Sequence, residues 1–191
     1  MNSNVIKFFP VVALATMATF SSCNAKKQAM KEKAPSGEQE VKVLCSGREF
    51  FSDKKNFRAN AIGESLDQEV SRKKARNNAK GELAGSVSTT MKAVIDNYVN
   101  SREVNNVEEV SEKFEGLTRE VIDQELSGIR TICERITTLN GKYKTYLALE
   151  LGADDLVDAI NERLSKEQEL KVDYDYEKFK KSFNAEMDKM K

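Results

Sequence analysis

Three cysteines, Cys23, Cys45 and Cys133, are the residues best suited to covalent chemistry in a chain with no histidine. Without imidazole, the commonest general base and the commonest metal ligand are both missing. A Ser-His-Asp or Cys-His arrangement cannot be built. Cys45 and Cys133 do not form a CxxC pair, so neither zinc nor dithiol redox chemistry is indicated. Two fates are open to them. The commoner is a pair of small buried hydrophobes on strands. The other is a Cys45–Cys133 disulfide, which an oxidising compartment permits. Carboxylates cluster at Asp154-Asp155 and along Asp173-Tyr174-Asp175-Tyr176-Glu177. Asp173, Asp175 and Glu177 outline a weak calcium site without EF-hand spacing. Acid at a helix start, favoured by the helix dipole, accounts for them better. No phosphate loop, dinucleotide fingerprint, nucleophile elbow or zincin motif occurs.

Cys23 has a different setting. It closes the apolar segment Val5 to Phe20, which begins beside Lys7 and ends in Phe20-Ser21-Ser22-Cys23. A charged start, a short apolar run and small residues before a cut make a secretory signal peptide. The run is shorter than the roughly 20 apolar residues of a membrane-spanning helix. With cysteine at the first mature position, it resembles the lipobox of bacterial lipoproteins. The resemblance implies a signal peptide over residues 1–22 and a Cys23 acylated on its thiol and its new amino group. Two or more chains, at about 0.8 kcal/mol per buried methylene, give stable anchoring. Phe20 departs from the leucine commoner at that position. Residues 23–40 then read as a lipidated cysteine and a flexible tether, rich in Lys and Glu with Pro35 and Gly37. No acidic run follows Cys23, and residue 24 is Asn. Both features favour an outer-membrane anchor facing the periplasm.

Composition narrows the remainder. Residues 1–22 carry one lysine and no acid, which leaves 30 basic against 31 acidic residues in the other 169. That balance lacks the basic stripe of a nucleic-acid binder. The length suits one domain with tails. The absence of Trp and the 32% charged residues suit a small, well-solvated, helix-rich domain. No cofactor is implied.

The elements follow from periodicity. Val41 to Cys45 alternates as a short strand, and Phe57 to Glu64 suggests a second. Between them Phe50 and Phe51 are candidate lids over the core. Ser65 or Asp67 caps a long helix. Along it Ala75, Ala79, Leu83, Val87, Met91, Ile95 and Tyr98 recur at steps of three and four. Ala75, Ala79 and Gly81 would let it lie close to a sheet. The run Gly85 to Thr90 weakens helix propensity and invites a kink. Arg72, Lys73, Lys74, Arg76 and Lys80 read as a solvated flank, since Glu64, Glu69 and Glu82 neutralise much of it. Residues 101–106 break the pattern. Val107, Val110, Phe114, Leu117 and Val121 then restart it in a second helix ending near Ser127-Gly128. Ile129 to Thr137 and Lys142 to Leu151 are strands, joined by an Asn140-Gly141 hairpin turn. Gly152 opens a third helix that faces Leu156, Ile160 and Leu164 inward. A last helix carries Tyr176, Phe179, Phe183, Met187 and Met190 on one stripe, either a flap packed on the same chain, the commoner use of such a stripe, or a partner-binding face. The expected class is α+β: a small antiparallel sheet against long amphipathic helices over residues 41–170, plus a C-terminal amphipathic helix over residues 171–191.

Two segments, GESLDQEVSRKKARNNAKGELAGSV and LSGIRTICERITTLNGKYKTYLALEL, resemble the Lpp-twenty-like outer-membrane lipoprotein domain across about 110 residues. The family resemblance implies an antiparallel sheet packed on helices, a lipid anchor and no known catalysis. It also implies docking work, because the domain resembles an amino-terminal module of flagellar-assembly envelope proteins. The long second helix and the 171–191 tail depart from the family pattern. The expectation is a non-enzymatic envelope lipoprotein that docks or scaffolds envelope proteins, with a homo-oligomer among the candidate assemblies. A binding module for peptidoglycan or lipid is the alternative.

Overall fold

A hairpin organises the sheet. In the computed structural model, which describes residues 38, 39, 41–101, 107–167 and 174–190, the strands are β1 (Asn56–Ser65), β2 (Arg130–Leu139) and β3 (Lys142–Gly152). Asn140 and Gly141 take φ of 51° and 74°, the left-handed pair that joins β2 to β3. β3 lies in the centre, antiparallel to both neighbours, in the order β1-β3-β2. Thr131 faces Leu149 and Cys133 faces Ala148, so Ile132 is an extra residue in a bulge.

The helices are α1 (Gln68–Asn100), α2 (Val107–Glu125), α3 (Ala153–Lys166) and α4 (Tyr176–Met187). α1 packs across β1 and β3, α2 and α4 pack on α1, and α3 packs on α2. Asp67 caps α1 by accepting from the Val70 N–H. The seven residues of its expected stripe are all at most 1% exposed. The helix stays unbroken through Gly85–Thr90. Thr89 and Thr90 turn their hydroxyls back to the Gly85 and Ser86 carbonyls, while Val87 and Met91 are buried.

Close approach of α1 to the sheet comes from the strand side. A Cβ on Gly63 would collide with the Ser71 carbonyl and the Ala75 nitrogen. Gly81, by contrast, faces open space. At this crossing Ser71, fully buried, donates its hydroxyl to the Gly63 carbonyl at 3.1 Å. The Thr145 hydroxyl lies 2.7 Å from it and completes the pair. The polar groups are thus satisfied inside an otherwise apolar seam.

The C-terminal helix belongs to the same compact unit as the sheet, which begins at Val41. Phe179, Phe183 and Met187 are at most 2% exposed. Phe179 meets Tyr98 edge-on at 5.5 Å, and Tyr174 and Phe114 complete an aromatic cluster. The Asp175 N–H donates to the Tyr98 hydroxyl at 2.7 Å, and the Asp175 side chain caps α4. Burial, with the neighbouring Tyr98 next, pushes the Tyr174 hydroxyl well above its usual range.

Two expectations fail at the amino-terminal end. Val41 to Cys45 is not a strand. Its chain turns at Cys45, where φ is 56°, and Val41, Val43 and Leu44 face solvent. Nor is Phe51 a lid, since it is 49% exposed. Short alternation is a weak strand signal when no neighbouring strand supplies partners for its backbone.

Candidate functional site

Cys45 and Cys133 are joined. Their sulfurs are 2.09 Å apart and their Cα atoms 5.6 Å, across a sequence separation of 88. Of the two fates open to them, the structure has the less common one. The reason is geometric: β2 places Cys133 opposite Ala148 of β3, on the sheet face away from α1, and the turn at Cys45 brings its sulfur over that same face, near the Tyr146 carbonyl. Ala148 is fully buried there.

A second clamp holds the same segment. Arg58 points from β1 onto this outer face. Its Nε donates to Glu150 at 2.7 Å, and its Nη1 donates to Asp53 at 2.6 Å and to the Phe51 carbonyl at 2.9 Å. Arg130 from β2 reaches the other oxygen of Glu150 at 2.8 Å. Burial works against ionised Asp53, but the Lys55 N–H and Arg58 outweigh it and hold the carboxyl below its usual range. Arg58 is correspondingly held further toward its charged form, despite partial burial, by Glu150 and Asp53. Residues 41–53 therefore form a strap across the outer sheet face, tied by one covalent bond and one guanidinium fork. None of the Arg58 network was visible in sequence, because its members are 5 and 92 residues away.

The open edge of β1 is blunted. Ser52 Oγ bonds both the N–H and the carbonyl of Arg58. Asn78 donates to the Ile62 carbonyl and Lys74 to the Glu64 carbonyl. Side chains thus occupy outward-facing backbone groups that could pair with a foreign strand. A shallow groove of about 710 Å³ remains near Asn60, lined by Asn77, Asn78, Gly81 and Glu82. Its lining mixes the amides of Asn60, Asn77 and Asn78 with the charges of Arg58 and Glu82 and the small apolar side chains of Ala59 and Ala61.

The other sequence candidates resolve into structural roles. Asp154 and Asp155 occupy the first turn of α3. Among the described residues, no group of three His, Cys, Asp or Glu could hold a metal ion. Asp173 lies outside the described residues. The basic flank of α1 is partly consumed: Arg72 pairs with Glu134 and Glu69, and Arg76 bonds Thr131. Cys23, the segment 1–22 and nearly all of the tether 23–40 also lie outside the described residues. Among the described residues, no helix is long and apolar enough to cross a membrane.

The fold places the chain in the α+β class, with an antiparallel three-stranded sheet packed against helices. No protein-family model, curated protein or solved structure matches it.

Proposed function

We propose that this chain is an exported, non-enzymatic envelope lipoprotein of the Lpp-twenty-like kind, lipid-anchored at Cys23 to the periplasmic face of the outer membrane, which docks other envelope proteins. The Cys45–Cys133 bridge carries the reading. Such a bond belongs to oxidising compartments, the destination of a chain with a secretory signal. It also uses two of the three cysteines of the sequence and does not involve Cys23. A domain tied down by thioether-linked and amide-linked acyl chains needs no spanning helix. For docking, the support is the strap: Val41 is 81%, Leu44 45% and Phe51 49% exposed, interleaved with polar residues. These are apolar contacts placed where the tether delivers the domain. No catalytic residue and no cofactor enters the reading.

The anchor is tested in cells. Labelled palmitate is expected to enter the wild-type protein and not Cys23→Ser, and Cys23→Ser is expected to leave the membrane pellet. An unlabelled wild type, or an equally sedimentable Cys23→Ser, refutes the anchor. Docking is tested separately, with a photocrosslinker at position 44. Discrete protein adducts in intact cells are expected, and adducts to lipid alone refute a protein partner.

A further inference from the structure

A cleft between α1 and α2 has the makings of a ligand site on the helical side of the molecule. Its volume is about 220 Å³. Each helix contributes the same pattern to it. α1 supplies Ser88, Met91, Lys92 and Ile95, and α2 supplies positions 115, 118, 119 and 122, in both cases i, i+3, i+4 and i+7. That spacing brings one face of each helix to the cleft. The floor is apolar: Met91 and Ile95 are 1% exposed and Ile122 4%.

Thr118 is the unusual residue. It is 2% exposed, lines the cleft, and its Oγ1 is buried without a hydrogen-bond partner. Buried hydroxyls are ordinarily satisfied, and leaving one unpaired is costly. An oxygen arriving in the cleft would supply the missing partner. Around the rim stand two cations, Lys92 and Arg119, and one carboxylate, Glu115. None of the three forms an ion pair with a described residue, although the surface elsewhere is rich in such pairs. The rim therefore carries one net positive charge.

We infer that this cleft binds a small monocarboxylate on a short apolar or aromatic stem. Thr118 donates to one carboxylate oxygen, Arg119 and Lys92 hold its charge, and the stem lies on Met91, Ile95 and Ile122. Three features choose that class. Cavities of about 150 Å³ accommodate benzene, so this one has room for a ring and a head group. Ligand sites for larger molecules run from about 300 to 1,000 Å³, which excludes a glycan strand from full enclosure. Glu115 repels a dianion such as phosphate, whereas a single carboxylate matches the net charge.

The test is titration of the isotope-labelled full chain with sodium benzoate, followed by amide chemical shifts in NMR. Saturable shifts are expected along residues 88–95 and 115–122. Benzyl alcohol, which lacks the charge, and acetate, which lacks the stem, are expected to bind at least about tenfold more weakly. Arg119→Gln is expected to weaken benzoate by about tenfold, as loss of a charge-assisted contact does. Thr118→Val keeps the shape and removes the hydroxyl. It is expected to lower benzoate affinity while leaving the melting temperature unchanged or raised, because an unsatisfied group has gone. The proposal is overturned if benzoate produces no saturable shift, if benzyl alcohol binds equally well, or if Thr118→Val binds benzoate like the wild type.

Discussion

On the helix side of the sheet, Phe57, Leu147 and Leu149 are at most 1% exposed; on the strap side Val43, Leu44, Phe51 and Ile62 remain 39–49% exposed. Both sides belong to the same three strands, yet different forces cover them. α1 covers its side with a continuous apolar stripe, and the hydrophobic effect holds it there. Residues 41–53 present no such stripe. They stay on the sheet through a disulfide and through the fork of Arg58. A segment too short to bury much apolar area can still be placed, provided a covalent bond removes entropy from the unfolded chain. It then keeps apolar side chains facing outward, which a self-sufficient core element would bury.

Substitutions on the two sides should separate these forces. Leu149→Ala, on the helix side, is expected to cost about 2–5 kcal/mol in urea unfolding. A loss below about 1 kcal/mol would mean that this side is packed no better than the strap. Replacing Cys45 and Cys133 together by Ser is expected to cost about 2–4 kcal/mol. Amide exchange should rise along residues 41–53 and stay low in α1. Uniformly raised exchange would show instead that the strap supports the whole core. Gly63→Ala drives a methyl into the backbone of α1 at Ser71 and Ala75. It is expected to cost about 1–3 kcal/mol through overpacking, read as a lower urea midpoint, whereas Gly81→Ala in open space is expected to be neutral or stabilising.

The smallest effect concerns acid. The folded Asp53 carboxyl is held below its ordinary value of 3.8. Its contribution is therefore fully present above that ordinary value and lost as pH falls through the lowered one. The Lys55 and Asn56 N–H groups that bond Asp53 at 2.8 and 3.0 Å should lose protection only in that acid range. Asp53→Asn should abolish the pH step. A step that persists in Asp53→Asn would assign it to another carboxylate.

Sequence periodicity made most of the helix side legible. The α1 stripe, the α3 residues Leu156, Ile160 and Leu164, and the α4 stripe at Phe179, Phe183 and Met187 are all buried as their spacing required. Asn140-Gly141 marked the hairpin because few dipeptides accept two positive φ angles. The strap was not legible. Val41 to Cys45 alternates like a strand, but alternation alone cannot say whether a partner strand is near. Of the small residues of α1, Ala75 and Ala79 are fully buried as expected and Gly81 is not at the contact; Gly63, which meets the Ala75 backbone from the strand side, gave no such signal. The cleft at Thr118 left no sequence signal, since a threonine on an amphipathic helix looks ordinary until its hydroxyl lacks a partner.

Local order in the chain determined which segments coil and where the hairpin turns, because these depend on neighbours within about one helical turn or one tight turn. Tertiary structure alone decided that Cys45 meets Cys133, that Arg58 reaches Glu150, and that Ser88 to Ile95 faces Glu115 to Ile122 across a cleft. Those meetings are set by the crossing of elements far apart in the chain, and no short-range pattern encodes an angle between helices or the face a strap will cross.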